Sequence, residues 1–251
     1  MGTLRTALHH PPADNPLGLI VAPTSATEAP AIAEAIPAEA ATLVIKPAES
    51  RLKAVWLPLP LRWAQDSDET ALQVRWWIED EHLLWEMKTP LPLEDRATFK
   101  AGGFTEGLWE QDVAEFFVAD VETGHYQEFN LSPGGAWWSA IFSGPRVRVE
   151  PQPDWREFDV QTEVQWTGRE WIGCFSLPLS GFMRAAFEAP LQDAPNSHHA
   201  TDRLRPEPGR RCLAVNFTAI RASTAGRRFY SLAPLAGEAP DFHRPWDWIV
   251  I

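Results

Sequence analysis

Cysteine is almost missing from this chain: its 251 residues hold two, Cys174 and Cys212. Two thiols build no disulfide framework, and neither sits at the spacing of a metal site; whether they pair is left open by their positions. Long apolar runs are missing too. No stretch approaches the roughly 20 apolar residues that a bilayer demands, so no membrane span is expected. The first residues carry one early Arg (Arg5), but residues 17–22 are too short for a signal core and run into Pro23. Cytoplasmic residence is the expectation. Positive charge is also in short supply, with 22 basic against 34 acidic groups, a formal −12. A protein that tracks nucleic-acid phosphates needs a basic face, and here most Lys and Arg alternate with acids, so nucleic acid is not an expected partner.

Catalytic signatures are absent as well. There is no Gly-x-Ser-x-Gly elbow, no phosphate-binding Walker loop and no dinucleotide fingerprint. A glycosidase needs two carboxylates about 5–9 Å apart across a cleft. The acids close to Glu115 in sequence, Glu110 and Asp112, are not an obvious partner for it. The chain reads as a non-enzyme with no catalytic residue assigned.

What is present is globular: 45% hydrophobic and 22% charged residues, with thirteen Trp. The length fits one large all-β domain spanning 1–251. Residues 12–42 are Ala- and Pro-rich and read as an irregular extension or insertion, with a short helix at 27–41 capped by Ser25 or Thr27 and broken at Pro37. Beyond it the apolar period is two. Val74, Trp76 and Ile78 share one face; after an acidic turn Leu83, Trp85 and Met87 share the next, which makes a hairpin. Residues 157–166 alternate cleanly, with Phe158, Val160, Thr162, Val164 and Trp166 on the apolar side. Further strands are expected at 113–119, 125–131, 136–142, 146–149, 170–178, 211–221, 228–233 and 246–251. Short strands between Gly, Pro and Asp turns predict an antiparallel β-sandwich.

Covering an aromatic side chain hides some 150–250 Å², worth on the order of 4–6 kcal/mol. Most of the Trp residues should therefore be core, with Trp76, Trp85 and Trp166 placed there by parity. Trp77 lies on the polar side of its strand, and is expected to be covered, with the extension the candidate cover. Trp137 and Trp138 are adjacent, so one indole points to each face and only one of them can be core.

The middle of the chain reads Gly107-Leu108-Trp109-Glu110-Gln111-Asp112-Val113-Ala114-Glu115-Phe116-Phe117-Val118, then Tyr126-Gln127-Glu128-Phe129-Asn130-Leu131-Ser132-Pro133. A Trp, an acid-rich turn, Glu-Phe-Phe and Tyr-x-Glu-Phe-Asn-x-Ser-Pro resemble the DOMON-like domains related to family 9 carbohydrate-binding modules. Leu8-His9-His10-Pro11, residues 211–219 and Ala239-Pro240-Asp241-Phe242-His243-Arg244-Pro245 resemble that group's opening, penultimate and closing segments. The match runs from near residue 8 to the C-terminus, with about 12–71 unmatched in detail. It implies a jelly-roll or immunoglobulin-like sandwich without catalytic machinery, used to bind sugars or, in other branches, haem.

In the sugar-binding branch a Trp six positions before a strand Glu walls the pocket, and the Glu bonds sugar hydroxyls. The matching pair here is Trp109 and Glu115. An indole offers a flat apolar face to a pyranose, and a carboxylate accepts from vicinal hydroxyls. The alternative is that Trp109 plugs one end of the sandwich and Glu115 is a buried structural acid. Arg146 and Arg148, two apart on an expected strand, are partners for Glu115 or donors to a ligand; Asn130 and Asn216 are weaker polar contributors. The resemblance also implies a second aromatic wall. Leu232 stands where one branch carries a Trp, which leaves Tyr230 or Trp137 as substitutes.

No cofactor is expected. Haem would need Met and His ligands, and Met87 and Met183 read as packing residues. Asp66-Ser67-Asp68-Glu69 is a fragment of a calcium loop without its Gly turn, which leaves a structural calcium open. His198-His199 reads as a solvated loop pair, and His243 as a ring that pins its own loop. The expected partner is a small saccharide or glycan bound at micromolar to millimolar affinity, and no oligomeric state is assigned. The alternatives are an interaction or scaffold protein that kept the fold without a sugar pocket, and a haem-binding redox module.

Overall fold

Alternation of period two sets the first hairpin. Strand β3 (Gln73–Glu79) pairs with β4 (His82–Pro90) around a turn at Asp80 and Glu81, both of which adopt positive φ. Leu83, Trp85 and Met87 face inward at 3% exposure or less, as their spacing predicts. The computed structural model describes residues 47–63, 71–91, 93, 99–179, 213–223, 226–235 and 237–251. The expected helix at 27–41, the opening Leu8–Pro11 motif, Asp66–Glu69, Met183, His198-His199, Arg211 and Cys212 lie outside the described residues.

Two antiparallel sheets are stacked as a sandwich. The smaller has the order β1 (Leu57–Pro58), β3, β4, β10 (Glu170–Pro178), β9 (Gln161–Trp166). The larger has the order β2 (Leu61–Arg62), β12 (Gly226–Ser231), β11 (Leu213–Ser223), β5 (Val113–Asp120), β6 (Tyr126–Leu131), β7 (Trp137–Gly144), β8 (Val147–Arg148), with β13 (Ile249–Val250) on β11. Between the sheets lies an aromatic core. Trp85 stacks on Phe175 at 5.5 Å, Trp76 meets Phe217 edge-on at 5.8 Å, and Phe116 stacks on Phe217 at 4.7 Å. Trp171 folds back over Gly173 and donates its indole N–H to the Pro133 carbonyl at 2.9 Å.

Two expectations are corrected. Trp166 is 48% exposed, not core. Parity assigns a face but not a depth, and Trp166 ends the edge strand β9 beside the turn at 167–169. That strand begins at Gln161 rather than 157, because the Asp154 side chain accepts from the Arg156 N–H and starts a single 3-10 turn at Trp155–Glu157. Trp77 is covered, at 1% exposure; Ala48 bridges to its backbone and its indole donates to Glu79 Oε2 at 3.1 Å.

The outer face of the large sheet carries a second aromatic cluster, and this positions the site. Phe117, Tyr126 and Phe142 project from β5, β6 and β7, and the C-terminal segment lies across them. Tyr126 stacks on Phe142 at 4.7 Å, while Phe242 and Trp248 pack on Phe117 at 6.4 and 5.2 Å.

Candidate functional site

Register brings the polar residues of the outer face together. Glu115 on β5 is paired with Thr218 on β11 and Asn130 on β6, and Asn130 with Trp138 on β7. One step along, Phe117 is paired with Glu128. Glu115 and Glu128 are therefore diagonal neighbours on one floor. Beside the aromatic cluster this floor opens into a cavity of about 350 Å³. Trp109, Trp138, Arg146, Arg148, Arg227 and His243 line it together with the two Glu residues.

Each wall has a local cause. Gly107, at φ +86°, turns the chain into the 3-10 turn Leu108–Glu110, which carries Trp109 to the rim. Trp109 meets Trp138 edge-on at 4.9 Å, and the Trp109 carbonyl accepts from the Arg227 guanidinium. The Arg148 guanidinium lies 4.9 Å from the Trp138 ring and 5.8 Å from that of Trp109. Arg148 is also paired with Glu106 at 2.6 Å, and Arg146 with Asp241 at 2.9 Å. Arg146 is not on a strand as expected. It occupies the β7–β8 turn at φ +60°, a left-handed conformation uncommon for Arg, and its backbone N–H donates to the Tyr126 hydroxyl at 3.0 Å.

The floor is nearly dry. Glu115 and Glu128 are 2% and 4% exposed. Burial pushes both carboxyls up, Glu115 to about 7 and Glu128 to about 8. For Glu115 the Thr218 hydroxyl, which donates to Oε2 at 2.5 Å, and then Arg227 and Arg146 hold the rise back. For Glu128 the neighbouring Glu115 charge adds to the rise, while Asn130, which donates to Oε1 at 3.1 Å, opposes it. His243 moves the other way, down to about 4, through burial and then the Arg146 charge. Its ring is neutral at pH 7.

Of the residues named from sequence, Trp109, Glu115, Arg146 and Arg148 converge on the cavity. Asn130 reaches it only through Glu128. Asn216 is engaged elsewhere, with Ser231 Oγ at 3.0 Å and the Ala233 N–H at 2.9 Å. Trp137 and Tyr230 have the parity of the core face: Trp137 packs edge-on against Phe104 at 5.1 Å and Phe175 at 6.0 Å, and Tyr230 is opposite Ala219. Trp138, not either of them, supplies the second indole beside Trp109. Leu232 is packed against the core. Met87 is buried in the core at 1% exposure, and no group of three or more potential metal ligands occurs among the described residues.

Sequence reasoning missed Glu128, Arg227 and Trp138 as lining residues and read His243 as a loop pin. Glu128 stood in the quoted motif two residues before Asn130, which is the same-face spacing that could have found it. His243 does more than hold a loop: its Nδ1 meets the Tyr126 hydroxyl at 2.7 Å while the ring lines the cavity.

No protein-family model matches the chain, and no curated protein matches it. Its backbone is similar to that of solved carbohydrate-binding structures. A "putative carbohydrate-binding protein" from Bacteroides uniformis ATCC 8492 superposes with a TM-score of 0.57 at 16% identity, over 78% of this chain and 85% of that one. A family 9 carbohydrate-binding module from Caldicellulosiruptor kristjanssonii in complex with cellotriose gives 0.46 at 13% identity, covering 82% and 87%. The same organism's family 9 module with glucose gives 0.47 at 12% identity, covering 82% and 88%. At these identities the likeness is one of fold.

Proposed function

We propose that this chain binds a saccharide in the cavity on the outer face of its large sheet. The observation that carries the reading is the convergence of Trp109 and Glu115 on one concavity with Trp138, Glu128 and three Arg side chains. The indole of Trp109 stacks against a pyranose ring, the carboxyls exchange hydrogen bonds with its hydroxyls, and the guanidinium groups donate to ring and hydroxyl oxygens. Both carboxyls rise from adjacent strands of one floor, so they meet a ligand from the same side. A glycosidase needs its two carboxyls to flank the scissile bond, and this arrangement suits recognition rather than hydrolysis. The description of the Bacteroides uniformis protein points the same way, although a shared fold alone does not fix a function.

One platform and a few hydrogen bonds give affinities on the order of micromolar to millimolar, or about −4 to −8 kcal/mol. Isothermal titration against mono- and oligosaccharides should show such binding, and Trp109→Ala should weaken it by roughly tenfold or more while unfolding stays cooperative. A wild-type chain that binds no member of the panel removes the reading.

A further inference from the structure

Beside the cavity runs a chain of polar contacts that begins at a fixed donor. The Arg146 backbone N–H can only donate, and it points at the Tyr126 oxygen at 3.0 Å. With one of its lone pairs so engaged, the phenol has its own hydrogen available for its second partner, His243 Nδ1, at 2.7 Å. A neutral imidazole that accepts at Nδ1 carries its proton at Nε2. Nε2 in turn faces Glu128 Oε2 across 4.0 Å. That gap is too wide for a direct hydrogen bond, and Glu128's other oxygen is already held by Asn130. The ring has little freedom to swing, being packed edge-on against Phe117 at 5.7 Å and Phe142 at 5.5 Å.

We infer that Tyr126 is a positioning residue that fixes His243 as an Nε2–H donor, and that one ligand hydroxyl bridges His243 Nε2 and Glu128 Oε2. This rests on the saccharide reading and names the group the site selects. An oxygen about 2.8 Å from each atom closes the gap with an angle of roughly 90° at the oxygen. A hydroxyl meets both requirements, because it accepts from the imidazole and exchanges a hydrogen bond with Glu128 in either protonation state of the acid. A hydrogen or an O-methyl group at the same sugar position does not. Tyr126 itself touches no ligand; it is fully buried and acts through the ring.

The test uses the full chain and has two readouts. Nitrogen-15 NMR of the imidazole in the free protein should show His243 as the Nε2–H tautomer at pH 7. Tyr126→Phe, which keeps the ring stacked on Phe142, should lose that single tautomer. Titration with the saccharide that wild type binds should then show a dissociation constant raised roughly tenfold in Tyr126→Phe. His243→Gln, whose amide nitrogen reproduces Nε2, should stay within about threefold of wild type, whereas His243→Asn, which reproduces Nδ1 instead, should fall with Tyr126→Phe. One monodeoxy analogue of the bound sugar should lose affinity in wild type and lose nothing further in His243→Asn. An Nδ1–H or charged ring in the free wild-type protein overturns the positioning role, as does unchanged affinity in Tyr126→Phe. A wild-type chain that binds no saccharide overturns the reading beneath it and the bridging hydroxyl with it, while the tautomer spectrum still decides the role of Tyr126.

Discussion

Two carboxyls closed under one cavity give the protein a pH dependence of definite sign. A Glu in the unfolded chain titrates near about 4.3, while burial raises Glu115 and Glu128 in the folded one. Below the unfolded value both states hold the same protons, and the pair costs nothing extra. As pH rises the unfolded chain releases its protons first, so stability falls between the unfolded and folded values and levels off above them. Glu128→Gln removes one of the two penalties and keeps an oxygen for Asn130. Its melting temperature should match wild type near pH 4.5 and exceed it by roughly 3–6 °C at pH 8.5; parallel pH profiles would show that the acid ionises without penalty. Part of this site was legible residue by residue. Trp109 and Glu115 were named from the resemblance to the sugar-binding branch, and the Trp137-Trp138 dipeptide had to split between faces, although both indoles, not one, are buried. Glu128 was passed over although it shares the face of Asn130 two residues on, and Arg227 was not found because its place at the cavity depends on cross-strand register, which no single strand's pattern encodes.

Elements show where a period suffices and where it fails. The β3–β4 hairpin was readable because both of its strands are central enough for every inward residue except the half-buried Ile78 to be buried. On the edge strand β9 the same pattern put Trp166 on the correct side, but that side runs out of opposing protein before the strand ends. Turns were the other loss: Arg146 was read as strand, yet its left-handed backbone is what aims its N–H at Tyr126. Strand β10 depends on a missing side chain. A Cβ at Gly173 would stand 2.2 and 2.4 Å from the Trp171 ring carbons and 2.9 Å from Leu131 Cδ2. Trp171 cannot yield easily, being 2% exposed and hydrogen-bonded to Pro133. Gly173→Ala should cost about 2–3 kcal/mol in denaturant unfolding, and a change within 0.5 kcal/mol would mean that the ring swings aside freely.

At the scale of the whole domain, the sandwich core and the candidate site share strands but not faces. Phe116, Phe129 and Phe217 point inward, while their neighbours Glu115, Phe117 and Glu128 point outward. A ligand that binds only the folded state should therefore stabilise all of it: at about 100 times its dissociation constant the gain is about 2.7 kcal/mol, or roughly 5–11 °C in melting temperature. A saccharide that binds by titration and leaves the melting curve in place would show that it attaches equally to the unfolded chain. The split also bears on how such a protein changes over time. The inward residues of β5, β6, β7, β11 and β12 answer to folding, and among those between, the ones that line the cavity answer to whatever occupies it. Selection can therefore rewrite one alphabet without touching the other, and a lineage built on this sheet can exchange ligands by substitutions that its core never registers.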